Sequence, residues 1–348
     1  MLRIVISFAP FMVCLFWLVV FALGYGRHNP SKKVLTWFLL ACTVLYLCHA
    51  LFFNRGISYS LECIWALCSL SVYPIYYLYI RALTGDFYGN ISQFWVLVPG
   101  LAVTFLLVFF PGKASDMVRA VVAIVQIVLV CKYGVGRLRD FDRLVASCYA
   151  NVEGRDTTDV KNLLIPLVAT SALSASANIL GKSFFADDDR LLLLVALLFA
   201  FMLFSLSYIG YTRDFSYMEL SIETEDADAA EMLPEPDEDL GRRLDALMKE
   251  KKYYRETGLT INDVAVQIGS CRTYVSNYIN RVKGGSFSDY INGLRVEDAK
   301  TILKQDGNIK NYAIAEILGF ANEQSFYRNF KKITGMTPAQ WRKEGKGL

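Results

Sequence analysis

Charge is missing from long stretches of this chain, and that constrains its fold more than any other feature. Uncharged, mostly apolar runs occupy residues 4–26, 34–54, 63–80, 87–112, 162–181 and 191–212, each closed at both ends by a charged residue. A helix needs roughly 20 apolar residues to cross the hydrocarbon core of a bilayer, so each run suffices for one span. A seventh run, 117–133, holds Arg119 and Lys132 just inside its ends. Both side chains are long enough to snorkel toward lipid headgroups. Residues 1–212 carry 16 basic and 11 acidic groups, whereas the shorter segment 213–348 carries 20 and 22. That asymmetry argues against a single water-soluble enzyme.

Orientation follows from the basic residues in the connections. With the C-terminus inside and seven spans, the inner connections hold Arg27, Lys32, Lys33, Arg81, Lys132, Arg137, Arg139, Arg143, Arg155 and Lys161. The outer ones hold Arg3, Arg55, Lys113, Arg119, Lys182 and Arg190. The inner excess agrees with the positive-inside rule, and removing the fifth span would spoil it. The first run exceeds the apolar core of a signal peptide and no A-x-A site follows, so it is expected to be a retained helix.

The membrane half offers little chemistry. Six of the eight cysteines lie in apolar runs and no C-x-x-C pair occurs, a pattern of buried thiols rather than of disulfides or a zinc site. Arg119, Gln126 and Asn178 are polar at or near membrane depth. The small residues of 169–178 suit close helix packing better than a ligand cleft lined by Ser171, Ser174 and Asn178. Asp187, Asp188 and Asp189 read as a solvated turn rather than a cation site. Neither a metal nor a cofactor is expected.

Residues 213–240 hold 11 acidic groups, one basic group (Arg213) and two prolines, so a flexible acidic linker is expected, disordered over 223–239. The remaining 241–348 carry 19 basic and 11 acidic groups. A basic surplus alone fits nucleic acid or anionic lipid.

The pattern within that segment discriminates. After Thr260, the residues Ala265, Gly269 and Val275 stand at helix-turn-helix spacing: a small residue for close crossing, a glycine for the turn, an apolar plug between helices. In the second helix Val275, Ile279 and Val282 are expected to share the buried face. Arg272, Thr273, Ser276, Asn277 and Asn280 are expected opposite. A long helix from Phe287 to Leu303 follows, and then Ala315 and Gly319 repeat the earlier spacing. The next helix sets Phe326, Phe330 and Ile333 on one side and Glu323, Gln324, Tyr327, Arg328, Lys331 and Lys332 on the other.

These residues resemble the DNA-binding domain of the AraC/XylS family of bacterial transcription regulators. The likeness spans roughly 100 residues and is densest over 319–342, G-F-A-N-E-Q-S-F-Y-R-N-F-K-K-I-T-G-M-T-P-A-Q-W-R. The connecting helix carries the family's R-x-x-x-A-x-x-L-L as Arg295, Ala299, Ile302 and Leu303. The first motif departs at Cys271, Asn277 and Ile279, where the family often has Ser, Arg and Phe. The resemblance implies two recognition helices in successive major-groove segments of double-stranded DNA. By matched position, Thr273, Ser276, Asn277, Glu323, Gln324, Tyr327 and Arg328 would read bases, while Arg272, Arg281, Lys331 and Lys332 would hold phosphates.

The expectation is therefore an all-α protein: a polytopic membrane bundle of about seven spans (1–212), an acidic linker (213–240) and a soluble double helix-turn-helix domain (241–348). Its function would be sequence-specific transcription regulation from the bacterial cytoplasmic membrane, with the C-terminal domain in the cytoplasm. No P-loop, H-E-x-x-H or G-x-S-x-G motif supports an enzyme. The alternative, a transporter or sensor whose basic domain binds anionic lipid or a protein, leaves the paired motifs unexplained. Expected partners are DNA, the bilayer, a second copy of the chain, and a small ligand or membrane protein at the bundle. Proximity of two DNA-binding domains is favoured over linker cleavage as the switch.

Overall fold

A computed structural model describes residues 2–55, 58–85, 91–110, 113–164, 167–169, 189–213, 215, 220, 238–305 and 308–345. The chain divides into two compact units, Met1–Arg139 with Thr157–Tyr217, and Asp140–Asp156 with Met218–Leu348. Among the described residues the fold is helical throughout, and the only β-type pairing is one isolated bridge, Tyr149 to Thr260.

The first unit contains α1 (Leu2–Leu23), α2 (Pro30–Arg55), α3 (Tyr59–Leu83), α4 (Val98–Phe109), most of α5 (Lys113–Cys148) and α6 (Asp189–Thr212). Helix starts carry the expected chemistry. Asn29 Oδ1 accepts from the Lys32 amide at 3.0 Å ahead of Pro30, and the Ser58 hydroxyl accepts from the Leu61 amide. Helix α2 packs on α1 and α3, and α1 also packs on α6. Trp17, Phe21, Leu35, Phe38, Leu39, Tyr76, Tyr79, Leu203 and Leu206 form the shared core. Outside it, Met12, Phe16, Val19, Val121, Val125, Val128, Leu197 and Phe201 are exposed. So much exposed apolar surface is costly in water and ordinary against acyl chains.

Five helices in this unit are long and apolar enough to cross a membrane: Ile6–Leu23, Pro30–Phe52, Tyr59–Leu83, Met117–Cys148 and Leu193–Thr212. They coincide with five of the seven expected spans. The run at 87–112 behaves differently. Residues Ile91–Leu97 form a 3-10 segment, and the α-helix begins at Val98, with Pro99 in its first turn. Proline has no amide to carry the hydrogen-bond ladder across this junction. The 12-residue α4 reaches about 18 Å at 1.5 Å per residue, and the 3-10 segment running into it adds about 14 Å, so Ile91–Phe109 is a mixed helical stretch rather than one long α-helix. The run at 162–181, with Ser171, Ser174 and Asn178, lies largely outside the described residues, as do Asp187, Asp188 and most of the acidic linker.

Arg119 does not snorkel. It is buried, with its guanidinium 4.1 Å from the Trp65 ring centroid, and the Trp65 indole donates to His49 Nε2 at 2.9 Å. An aromatic face stabilises a desolvated cation, so this one stays inside the unit.

The second unit comprises α7 (Glu238–Lys249), a 3-10 turn Tyr253–Arg255, α8 (Ile261–Gln267), α9 (Arg272–Tyr278), α10 (Phe287–Gln305), α11 (Asn311–Ile317), α12 (Glu323–Thr334) and α13 (Pro338–Gly345). It has two cores. Leu244, Leu247, Tyr254, Ile261, Val264, Val275 and Ile279 cluster with Phe287 and Ile291 of α10. Ile314, Leu318, Phe320, Phe326 and Phe330 cluster with Val296, Ala299 and Leu303 farther along the same helix. Helix α10 thus serves both, its apolar residues at helical spacing turning first to one core and then to the other.

Two expected core positions are not in it. Val282 is 58% exposed, whereas Val275 and Ile279 are fully buried. A π-helical turn at Ile279–Lys283 follows α9, and its wider i→i+5 geometry rotates Val282 off the buried stripe. Ile333 is 40% exposed at the end of α12, one residue before Thr334.

Candidate nucleic-acid interface

The two helix pairs are closed by the same turn. In the first, Ile268 N donates to Val264 O (3.1 Å), Gly269 N to Val266 O (3.1 Å) and Ser270 N to Ala265 O (2.9 Å). In the second, Leu318 N donates to Ile314 O (3.0 Å), Gly319 N to Glu316 O (3.3 Å) and Phe320 N to Ala315 O (2.9 Å). Gly269 and Gly319 sit at φ +62° and +72°. This left-handed C-terminal cap is available to glycine at little cost, and it ends the helix while pairing its last carbonyls. Ala265 and Ala315 are buried where each pair crosses.

Entry into the helices differs between the motifs. Thr260 and Asp263 form a reciprocal capping box at the start of α8. Asn322 caps α12 by accepting from the Ser325 amide at 2.8 Å. Cys271, at the corresponding position before α9, makes no side-chain cap. A thiol is a poor acceptor, so α9 lacks the anchor that α12 has.

Both second helices turn polar residues outward. On α9 and the π turn, Asn277, Asn280 and Arg281 are exposed, while Arg272, Thr273 and Ser276 are half-buried. On α12, Glu323, Gln324, Tyr327, Arg328, Lys331 and Lys332 are all exposed, opposite the buried Ser325, Phe326 and Phe330. The expected base readers of α12 are therefore all exposed, whereas on α9 only Asn277 is, with Thr273 and Ser276 half-buried. Two of the basic groups are already engaged: Lys332 Nζ lies 2.8 Å from Asp289 Oδ1, and Arg328 Nη2 lies 3.8 Å from Glu153 Oε1. Burial would raise the Asp289 carboxyl, but bonds from Lys332 and Ser286 hold it below its ordinary value.

Residues 264–344 match the family described as helix-turn-helix domain. Over 94 residues the chain is 34% identical to an uncharacterized HTH-type transcriptional regulator of Bacillus subtilis, YtdP, covering 27% of this chain and 12% of that protein. It is 33% identical over 89 residues to the melibiose operon regulatory protein of Escherichia coli, covering 25% and 29%. With the probable transcription factor PqrA of Proteus vulgaris it shares 29% identity over 97 residues, 28% of this chain and 78% of that one. The C-terminal domain is of the AraC/XylS type. The chain spans a third or less of the length of the first relatives it matches, so the likeness concerns this domain. No solved structure matches the chain.

The two halves of the AraC/XylS-type domain are held at fixed separation by a polar centre. Arg295 of α10 is fully buried; its Nε donates to Tyr254 O (2.7 Å), Nη2 to Glu256 O (2.9 Å) and Nη1 to Asn151 Oδ1 (2.8 Å). Its guanidinium also lies 5.4 Å from the Phe320 ring centroid. Burial lowers its pKa to about 10, against the opposing charge of Glu153, so the group stays cationic at neutral pH. One turn farther, Asp298 accepts from Tyr254 Oη (2.9 Å) and Arg255 Nε (2.8 Å), with Lys252 Nζ at 3.5 Å. Burial alone would raise this carboxyl, but the bonds from Arg255 and Tyr254 and the nearby cations outweigh it, and its pKa is lowered. Burial and the Asp298 bond push Tyr254 up to about 12.

A depressed carboxylate contributes stability above its unfolded pKa, near 3.9, and loses it as pH falls through the lower native value. Thermal melts of wild type and Asp298→Asn should therefore differ most at neutral pH and converge below the ordinary carboxylate range. A constant gap down to pH 2 would show that Asp298 acts through shape and not charge.

One further neighbour of this domain comes from the first half of the chain. The segment after α5 lies along it. Ala150 N donates to Leu259 O (3.0 Å), Ala150 O accepts from Ser288 Oγ (2.9 Å) and Asn292 Nδ2 (3.0 Å), and Asn151 Nδ2 donates to Gly319 O (3.2 Å). Arg272 Nη2 donates to Cys148 Sγ at 3.1 Å. No local signal in 148–153 marks these contacts, because their partners stand more than a hundred residues away in the chain.

Proposed function

We propose that the protein is a membrane-anchored, sequence-specific transcription regulator. The observation that carries this reading is one chain holding five membrane-length apolar helices and a domain with two identically closed helix-turn-helix motifs on one shared helix. Paired second helices with exposed polar faces suit two successive major-groove segments; nothing in lipid binding calls for that repetition. Thr273, Ser276, Asn277, Glu323, Gln324, Tyr327 and Arg328 would contact bases, and Arg272, Arg281, Lys331 and Lys332 phosphates. The domain would lie on the cytoplasmic side of a bacterial membrane, with a signal arriving through the bundle from a small ligand, a membrane partner or pairing of two copies.

Full-length protein in lipid nanodiscs should bind a duplex that it selects from random DNA. The log–log salt slope should be about −0.9 per phosphate contacted. Arg328→Ala should cost about 1–3 kcal/mol on the selected duplex and little on unselected DNA, as expected for a base contact. An equal loss on both would make Arg328 a phosphate clamp, and no duplex recovered would refute the regulator reading.

A further inference from the structure

The segment Cys148–Glu153 touches a candidate DNA contact in each motif. Cys148 accepts from Arg272 of α9, and Glu153 pairs with Arg328 of α12. Between them Tyr149, Ala150 and Asn151 fill a groove made by Leu259, Thr260, Ser288, Asn292, Arg295 and Gly319. Ala150 and Asn151 are almost wholly buried there.

We propose that this groove is a docking site for residues 148–153 of the chain itself, and that the docked segment competes with DNA for Arg272 through Cys148 and for Arg328 through Glu153. The proposal rests on the regulator reading above and adds the means of its control.

Two observations support a displaceable occupant. The docked state contains a flaw. Glu153 Oε2 is buried without a hydrogen-bond partner, and the 3.8 Å approach to Arg328 is looser than a good ion pair. An unsatisfied buried carboxylate oxygen is costly, and undocking returns it to water. Finally, Glu153 places negative charge beside the outer face of α12, where a phosphate would repel it.

The connection matters because of what precedes it. Helix α5 runs unbroken from Lys113 to Cys148 and leads directly into the docked residues. The acidic linker is therefore not the sole covalent route from the apolar helices to the DNA-binding domain.

The test compares wild type and Glu153→Gln, full-length in nanodiscs, on a fluorescein-labelled duplex selected from random DNA by the wild-type protein. Glu153→Gln should bind about threefold to tenfold more tightly. Hydrogen exchange at the Ala150 amide, slow in free wild type because of its bond to Leu259 O, should speed up when the duplex is added. Unchanged or weaker binding by Glu153→Gln, or an Ala150 amide equally protected with and without DNA, would overturn the proposal and leave the segment a permanent part of the domain. Tighter binding without opening of that amide would be a general charge effect and would overturn it too. If wild type selects no duplex, the regulator reading fails first.

Discussion

Gly319→Ala should unfold the second motif, lowering stability by about 3 kcal/mol or more, whereas the same change at Gly269 should cost only about 1 kcal/mol. Both glycines hold left-handed backbone, so each substitution carries that conformational cost. The difference lies in their surroundings. A Cβ on Gly269 would meet only Arg243 Nη1 at 3.9 Å, the far end of a flexible side chain. A Cβ on Gly319 would collide with the carbonyl of Arg255 and press on that of Glu256, and backbone cannot step aside as a side chain does. Relieving the clash would pull the Tyr253–Arg255 turn away from Arg295 and lose its bond to Tyr254 O. Thermal unfolding of the two variants, followed by tryptophan fluorescence of Trp341 beside Phe330, should separate them by several degrees. Equal melting points would mean that the close approach at Gly319 is unimportant.

Arg295→Leu should cost about 3 kcal/mol or more, because three buried acceptors lose their donor at once. The leucine would fit the apolar surroundings of Phe320 but would leave Tyr254 O, Glu256 O and Asn151 Oδ1 without their donor. Each orphaned buried acceptor costs about 1–3 kcal/mol, less whatever water restores. Arg295→Lys should recover only part of the loss, because one ammonium cannot reproduce a planar fork aimed at three separate oxygens. Chemical denaturation of the three proteins measures this directly. A lysine variant as stable as wild type would show that charge suffices and the fork is dispensable.

Much of the architecture was legible in the residues because it depends on local pattern. An uncharged run of membrane length is apolar wherever it folds, and five such runs are helices of that length. The Ala-x-x-x-Gly spacing likewise encodes a helix end and a left-handed turn within five residues, and both turns form as the spacing implies. Local pattern fails where the backbone departs from regular α-geometry. Val282 fits a 3.6-residue stripe, yet the π turn before it changes the period.

Composition and spacing were therefore enough for the helical class, the apolar first half and the paired motifs, since each follows from interactions between residues a few positions apart. Which side chains meet across the chain was not recoverable that way. Arg295 stands out in the sequence only through the family pattern on α10; that it is buried against the carbonyls of a turn some forty residues earlier is decided by folding. Asn151 and Glu153 look like ordinary connecting residues between two apolar runs. Their meeting with Gly319, Arg295 and Arg328 requires chain closure over more than 140 residues, and such contacts leave no periodic trace. Tertiary packing alone places them there, because burying Ala150 and satisfying its carbonyl needs both Ser288 and Asn292 already in position on α10.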